Sequence, residues 1–204
     1  FKNIKNWRRS EVLKDFKFYV ISLNMLAMPW IVTGIFIYQS FIAESKFWGS
    51  YIIPQSFMIY SITSILTLIA SGFLVDRFTS RKLIPLMNLP LLCGLIVLYF
   101  FNISYSAYLF FGLMGVSNGL ANVLGSSTWA EIYGVRYLGA IRALTTAFMV
   151  FSTAFGTALF GLLIDNGYTI EQIALISILY ISLSLSFLLA IKGSVEPVNL
   201  TKKT

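Results

Sequence analysis

The chain has 204 residues, of which 57% are hydrophobic and 11% charged, and a formal net charge of +7. A soluble domain carries roughly 25% charged residues, so this composition argues against a water-soluble globular fold. With no His and a single Cys93, it excludes an intrachain disulfide, His-based catalytic dyads and triads, and the usual His metal sites.

Residues 1–17 carry Lys2, Lys5, Arg8, Arg9, Lys14 and Lys17 and read as a cytoplasmic leader. Ser10 is expected to cap a short helix containing Glu11, Val12 and Leu13, with Trp7 at the membrane interface. Phe1 is not Met, and no signal peptide precedes the first apolar run. The leader is therefore expected to be the end of an inter-domain loop, with a further part of the protein upstream; an ordinary cytoplasmic N-terminal tail is the alternative.

Charge is absent from Phe18–Ala43, Phe47–Val75, Leu83–Ala130, Ala143–Ile164 and Gln172–Ile191. Each run reaches the roughly 20 residues that a helix needs to cross a ~30 Å hydrocarbon core. As one helix, Leu83–Ala130 would be about 70 Å long at ~1.5 Å per residue, so it must turn back once. Asn102-Ile-Ser-Tyr-Ser106 is the turn near its middle. The prediction is an all-α integral membrane protein with a six-helix bundle over 18–192. Its spans are near 18–43, 50–75, 83–101, 106–131, 140–164 and 172–191, and a cytoplasmic tail follows at 193–204.

An even number of spans puts both termini on one side. That side receives the leader cations, Arg77, Arg81 and Lys82, Arg136 and Arg142, and Lys192, Lys202 and Lys203. Of the 15 basic residues, Lys46 alone falls on the other side. This asymmetry predicts cytoplasmic termini in a plasma or inner membrane. Attraction to anionic lipid accounts for the positive charge, and no nucleic-acid partner is expected.

Gly72-Phe-Leu-Val-Asp76 closes the second span, and Gly161-Leu-Leu-Ile-Asp165 closes the fifth. Gly72 lies as far beyond Phe18 as Gly161 lies beyond Ala107, near the starts of the first and fourth spans. Two three-helix units in inverted orientation, a 3+3 repeat, produce this spacing. Each Asp sits at a helix C-terminus, where the dipole disfavours an anion by about 0.3–1 kcal/mol. Such a carboxylate calls for a helix N-terminus or an arginine opposite it. Gly72 is expected to let another backbone approach closely.

The run Gly72-xxx-Asp76-Arg77-x-Thr79-x-Arg81-Lys82 resembles the signature loop of the major facilitator superfamily, Gly-xxx-Asp-Arg/Lys-x-Gly-x-Arg/Lys-Arg/Lys. It departs from that loop at Thr79, where Gly is usual. The segment Glu131-Ile-Tyr-Gly-Val-Arg136, followed by Gly139 and Arg142, resembles the family's fourth-to-fifth helix loop. The resemblance covers nearly the whole chain and fits the C-terminal six-helix half, so the N-terminal half is an expected partner. Among subgroups the chain is loosely similar to bacterial monocarboxylate and oxalate–formate porters. The family likeness implies secondary transport of a small solute, such as an organic anion, by alternating access. Coupling to H+ or to an exchanged anion would be supplied from the other half. It also implies that Gly72, Asp76, Arg77, Arg81 and Lys82 form an inward gate. Arg81 is expected to pair with Glu131, with Arg136 and Arg142 as competing cations.

No Asp, Glu, Lys or Arg lies deep in any span, so no coupling carboxylate is evident here. In the family the first helix of each triplet lines the cavity. That implies cavity-lining roles for Asn24, Trp30, Tyr38 and Gln39 in the first span, and for Asn118 and Asn122 in the fourth. Thr33 is also available there, and Pro29 is expected to bend the first span by freeing the Met25 carbonyl. An interhelical hydrogen bond is the competing role for both asparagines of the fourth span. Gly115-xxx-Gly119 is a close-packing motif, and Gly125-Ser-Ser-Thr128 reads as small residues at a helix contact. Thr169-Ile-Glu-Gln172 is a capping box at the start of the last span. Asn102-Ile-Ser104 and Asn199-Leu-Thr201 match glycosylation acceptors, but the expected topology makes neither usable. No catalytic residue, metal or cofactor is expected. The rival readings are an oligomeric six-span channel subunit and a non-transporting scaffold or sensor of the same fold.

Overall fold

The computed structural model describes residues 5–191. Lys2, Lys192, Lys202, Lys203, the 193–204 tail and the Asn199–Thr201 acceptor lie outside the described residues. Six helical segments are long and apolar enough to cross a membrane: Phe16–Ile37, Ile52–Phe78, Ser80–Phe100, Ser104–Tyr133, Leu138–Asp165 and Ile170–Ala190. The regular structure of the described residues is all helical, and the chain is a multi-pass membrane protein.

A short helix α1 (Arg9–Val12) precedes α2 (Phe16–Ile37). Ser10 lies inside α1 rather than capping it, because the Glu11 carboxylate already accepts from the Arg8 N–H at 2.7 Å. That bond and the Lys5 ammonium hold the Glu11 carboxyl below the usual carboxylate range. Residues 5–15 pack on the following loops of the bundle. The Trp7 N–H donates to the Tyr133 carbonyl at 3.0 Å, and the Tyr133 hydroxyl donates to Asp15 Oδ2 at 3.0 Å.

The first span ends at Ile37, short of the expected boundary, and a separate helix α3 (Gln39–Ser45) follows. Uncharged length overran the span because α3 carries no charge before Glu44 and buries Ile42. The helix α2 stays continuous through Pro29. Just before it, the Leu23 carbonyl accepts from the Tyr180 hydroxyl at 2.8 Å and the Leu26 carbonyl from Ser152 Oγ at 3.2 Å. Side chains of neighbouring helices thus serve the backbone around the proline.

The second span is α4 (Ile52–Phe78). The third begins earlier than expected, at α5 (Ser80–Leu83), passes a 3₁₀ turn (Ile84–Leu86) and continues as α6 (Leu89–Phe100). Pro85 and Pro90 each occupy a helix first turn, where a missing N–H costs nothing. The nearby Leu91 N–H donates to Ser117 Oγ at 2.8 Å, so a side chain of the next span satisfies an orphan donor. The last three spans are α7 (Ser104–Tyr133), α8 (Leu138–Asp165) and α9 (Ile170–Ala190). Thr169 and Gln172 form the capping box of α9, with 3.0 Å from the Thr169 N–H to Gln172 Oε1.

Helix α4 packs along α7 and α2 along α8; α6 packs on α7 and α9 on α2; α6 and α9 pack on each other. When the first three spans are exchanged for the last three, the first four pairings interchange in twos and the α6–α9 pairing maps onto itself. Small residues permit the two longest contacts. A Cβ on Gly115 would stand 2.5 Å from the Tyr60 carbonyl oxygen, and one on Gly119 would stand 2.6 Å from that of Ser64. On the α2–α8 side, Gly156 lies against the Trp30 backbone and Gly34 against the Phe160 ring. Close backbone approach of this kind lets apolar helices associate in lipid, where water does not drive them together.

Candidate functional site

Three polar constellations interrupt the apolar bundle. The first is the turn between α4 and α5. Glu131, near the end of α7, reaches across to it. One carboxylate oxygen accepts from the Ser80 N–H and the Ser80 hydroxyl, both at 2.8 Å, and the other accepts from the Arg81 N–H at 3.2 Å. Arg81 Nε stands 3.5 Å from Glu131 Oε2. The expected ion pair therefore forms, but the shorter contacts come from the α5 N-terminus. The carboxylate occupies the site where the first backbone N–H groups of a helix await acceptors. This contact explains why the third span begins at Ser80. Arg136 and Arg142 make no ion pair with Glu131 among the described residues. The Arg136 guanidinium lies over the Tyr137 ring instead, and Arg142 is exposed.

Asp76, Arg77 and Lys82 are exposed, with Arg77 beside the Phe78 ring. No hydrogen bond or ion pair reaches the Asp76 carboxylate among the described residues. Gly72 contradicts its expected role within this chain: a Cβ there would meet nothing within 4 Å. The contact of α4 with α7 runs instead through the neighbouring Ser71, whose hydroxyl donates to the Gly119 carbonyl at 3.5 Å.

Thr79 adopts φ 61° and ψ 140°, a left-handed conformation that a β-branched residue tolerates poorly. The turn geometry thus demands what glycine supplies at the one position where the sequence departs from the resembling loop. Relief of this strain, less the extra chain entropy of glycine, leads us to expect Thr79→Gly to stabilise the protein by about 1 kcal/mol. Thermal unfolding in detergent would show it, and a lowered midpoint would refute it.

The second constellation is a cleft of about 270 Å³ between α2, α7 and α8. Asn118 and Asn122 line it, as expected, together with Pro29 and Thr33. Asn118 also takes the competing interhelical role, since its Nδ2 donates to Ser64 Oγ of α4 at 2.8 Å; Asn122 does not, because its Nδ2 donates to the Asn118 carbonyl within α7 at 2.9 Å. The floor is aromatic. Trp129 stacks on Tyr133 with centroids 5.9 Å apart and also meets Phe18 at 5.2 Å.

The other expected lining residues lie elsewhere. Asn24 is fully buried against α6, where Asn88 Nδ2 donates to its carbonyl at 2.6 Å and to its Oδ1 at 3.2 Å. Trp30 is buried in a ring cluster with Tyr180, Phe155 and Phe160. Tyr38 stacks on Phe160 and donates to the Thr157 carbonyl at 3.3 Å. Gln39 faces a separate pocket beside α3. Asn24 and Trp30 are on the right helix but the wrong face, a distinction that composition does not carry, whereas Tyr38 and Gln39 lie beyond the end of α2. Gly125 is corrected too: it meets no helix and opens onto the cleft. Sequence reasoning missed Ser22, Thr145 and the methionines Met25, Met28, Met87 and Met149, all of which line the cleft. Spacing from Pro29 could have found Met25 and Ser22, which lie one and two turns before it.

The third constellation lies at the opposite end of the bundle. Lys46 has no exposed surface, and its ammonium stands 2.7 Å from both Glu171 Oε1 and Asn102 Oδ1. It joins the end of α3, the α6–α7 turn and the start of α9. In the sequence Lys46 marked only the less basic side.

No protein-family model and no curated protein matches the chain.

Proposed function

We propose that the chain is a six-helix unit of a secondary transporter of the major facilitator type, which moves a small solute by alternating access. The observation that carries this reading is the position of the cleft. It lies between α2 and α7, the first helices of the two triplets, where an inverted repeat in a transporter sets its solute path. The exchange relation among the helix contacts supports the 3+3 repeat. The open cleft and the uncovered face of α4 around Gly72 and Asp76 suit a partner unit, the N-terminal half, closing the path from the other side. The termini would be cytoplasmic, in the plasma or inner membrane.

On this reading the α4–α5 turn belongs to the inward gate. Glu131 fixes α5 through its N-terminus and leaves Asp76 available to a helix N-terminus of the partner unit. Charge removal at an exposed side chain should spare insertion and folding. Asp76→Asn is expected to cut uptake into proteoliposomes by about tenfold or more, equivalent to ~1.4 kcal/mol on a barrier. Unchanged uptake by that variant overturns the gate. Failure of the unsubstituted protein, reconstituted together with its N-terminal half, to take up any solute of a broad panel favours the scaffold or sensor reading.

A further inference from the structure

Resting on the reading of the cleft as a solute path, we infer that its solute is uncharged and amphipathic, not the organic anion that the family likeness suggested. Among the described residues, the wall offers no Asp, Glu, Lys or Arg. On this wall a charged group would shed water without meeting an opposite charge, which is costly in so apolar a setting. The cleft is instead built for an apolar body. Met25, Met28 and Met149 supply flexible, polarizable surface, and Phe36, Trp129 and Phe148 supply flat rings.

Its polar groups are few and neutral. Ser22 lines the cleft and is only 6% exposed, and among the described residues its Oγ has no hydrogen-bond partner. A buried hydroxyl left in that state carries a desolvation cost that a ligand donor or acceptor would remove. Asn122, exposed within the cleft, commits its Nδ2 to the Asn118 carbonyl and has hydrogen-bonding capacity to spare. A hydroxyl, carbonyl or amide on the solute suits these groups, with its apolar part on the methionines and rings. The recognised class is thus a neutral apolar or aromatic molecule carrying one or two hydrogen-bonding groups.

Gly125 provides the test. It lines the cleft, and a Cβ there meets nothing within 4 Å, so a larger side chain fills the cleft without disturbing a helix contact. Gly139 is equally open but lies outside the cleft and serves as the control. The full chain in nanodiscs of zwitterionic lipid is titrated with neutral N-phenylnaphthylamine and with its anionic analogue, anilinonaphthalene sulfonate. The saturable quenching of tryptophan emission is read. The neutral probe is expected to bind at least about tenfold more tightly than the sulfonate. Gly125→Leu should weaken its binding by about tenfold or more, and Gly139→Leu should leave it unchanged. Circular dichroism checks that both variants are folded. If the sulfonate binds as tightly or more tightly, with the same sensitivity to Gly125→Leu, the neutral class is overturned while the cleft stands as a solute site. If neither probe responds to Gly125→Leu, the solute-path reading falls with it.

Discussion

Glu171→Ala is expected to destabilise the bundle by about 3 kcal/mol, the low end of the range for breaking a buried ion pair by removing one partner. The reason is the ion left behind. Lys46 has no exposed surface, so loss of Glu171 strands its ammonium with Asn102 Oδ1 alone. The Glu171 side chain is 35% exposed, so the reverse truncation leaves a carboxylate that water can reach. Lys46→Met, which keeps the length and the apolar stem, should therefore cost less than about 1 kcal/mol. The double variant should recover most of the loss caused by Glu171→Ala, since no buried charge remains. Chemical unfolding in mixed micelles measures all three. Equal losses for the two single variants would show that Lys46 is solvated and the latch is weak.

Gly115→Ala is expected to cost about 1–3 kcal/mol or more, as overpacking does where the neighbour cannot move away. The added methyl would stand 2.5 Å from the Tyr60 carbonyl oxygen and close to Thr63 Oγ1. Thr63 can rotate, but Tyr60 O belongs to the backbone of α4. The two helices would have to separate along their whole contact, and the Asn118–Ser64 hydrogen bond would lengthen with them. Gly125→Ala is the matched control on the same helix. Its methyl meets open space, and alanine is the better helix former by about 1 kcal/mol, so this variant should be neutral or slightly more stable. A Gly115→Ala protein that melts with the unsubstituted one would disprove the close packing of α4 on α7.

These two experiments probe features of unequal visibility in the sequence. Gly115-xxx-Gly119 announces a close helix contact by its spacing alone, and the structure places α4 there. Lys46 announces nothing, since a lone cation between two apolar runs looks like any solvated loop residue. Its burial follows from three loops that meet only after the helices have packed. The expected Arg81–Glu131 pair lies between. Opposite charges at neighbouring span ends were visible, but the hydrogen bonds from the Ser80 and Arg81 backbone were not, because the start of α5 depends on the carboxylate itself.

The cleft shows the same division. Asn118 and Asn122 share one helix face by their i, i+4 spacing, and both line it. Asn24 has no such companion in its own helix. Its partner, Asn88, lies two spans away, and only packing makes them neighbours. Gly72 shows the converse. Its motif called for a close neighbour, and its surroundings in this chain are open.

The sequence by itself determined the membrane class, the six spans, the α9 capping box and the small-residue contact on α7. Each is a local property, set by the length of an uncharged run or by side chains within one helical turn. The tertiary structure alone decided which faces meet: the Asn24–Asn88 pair, the burial of Lys46, the carboxylate on the α5 N-terminus and the uncharged wall of the cleft. The physical reason lies in the solvent. In water a helix declares its buried side by an apolar stripe. In lipid both sides are apolar, and the rotation of each helix is set by the fit of small residues and the pairing of distant polar groups.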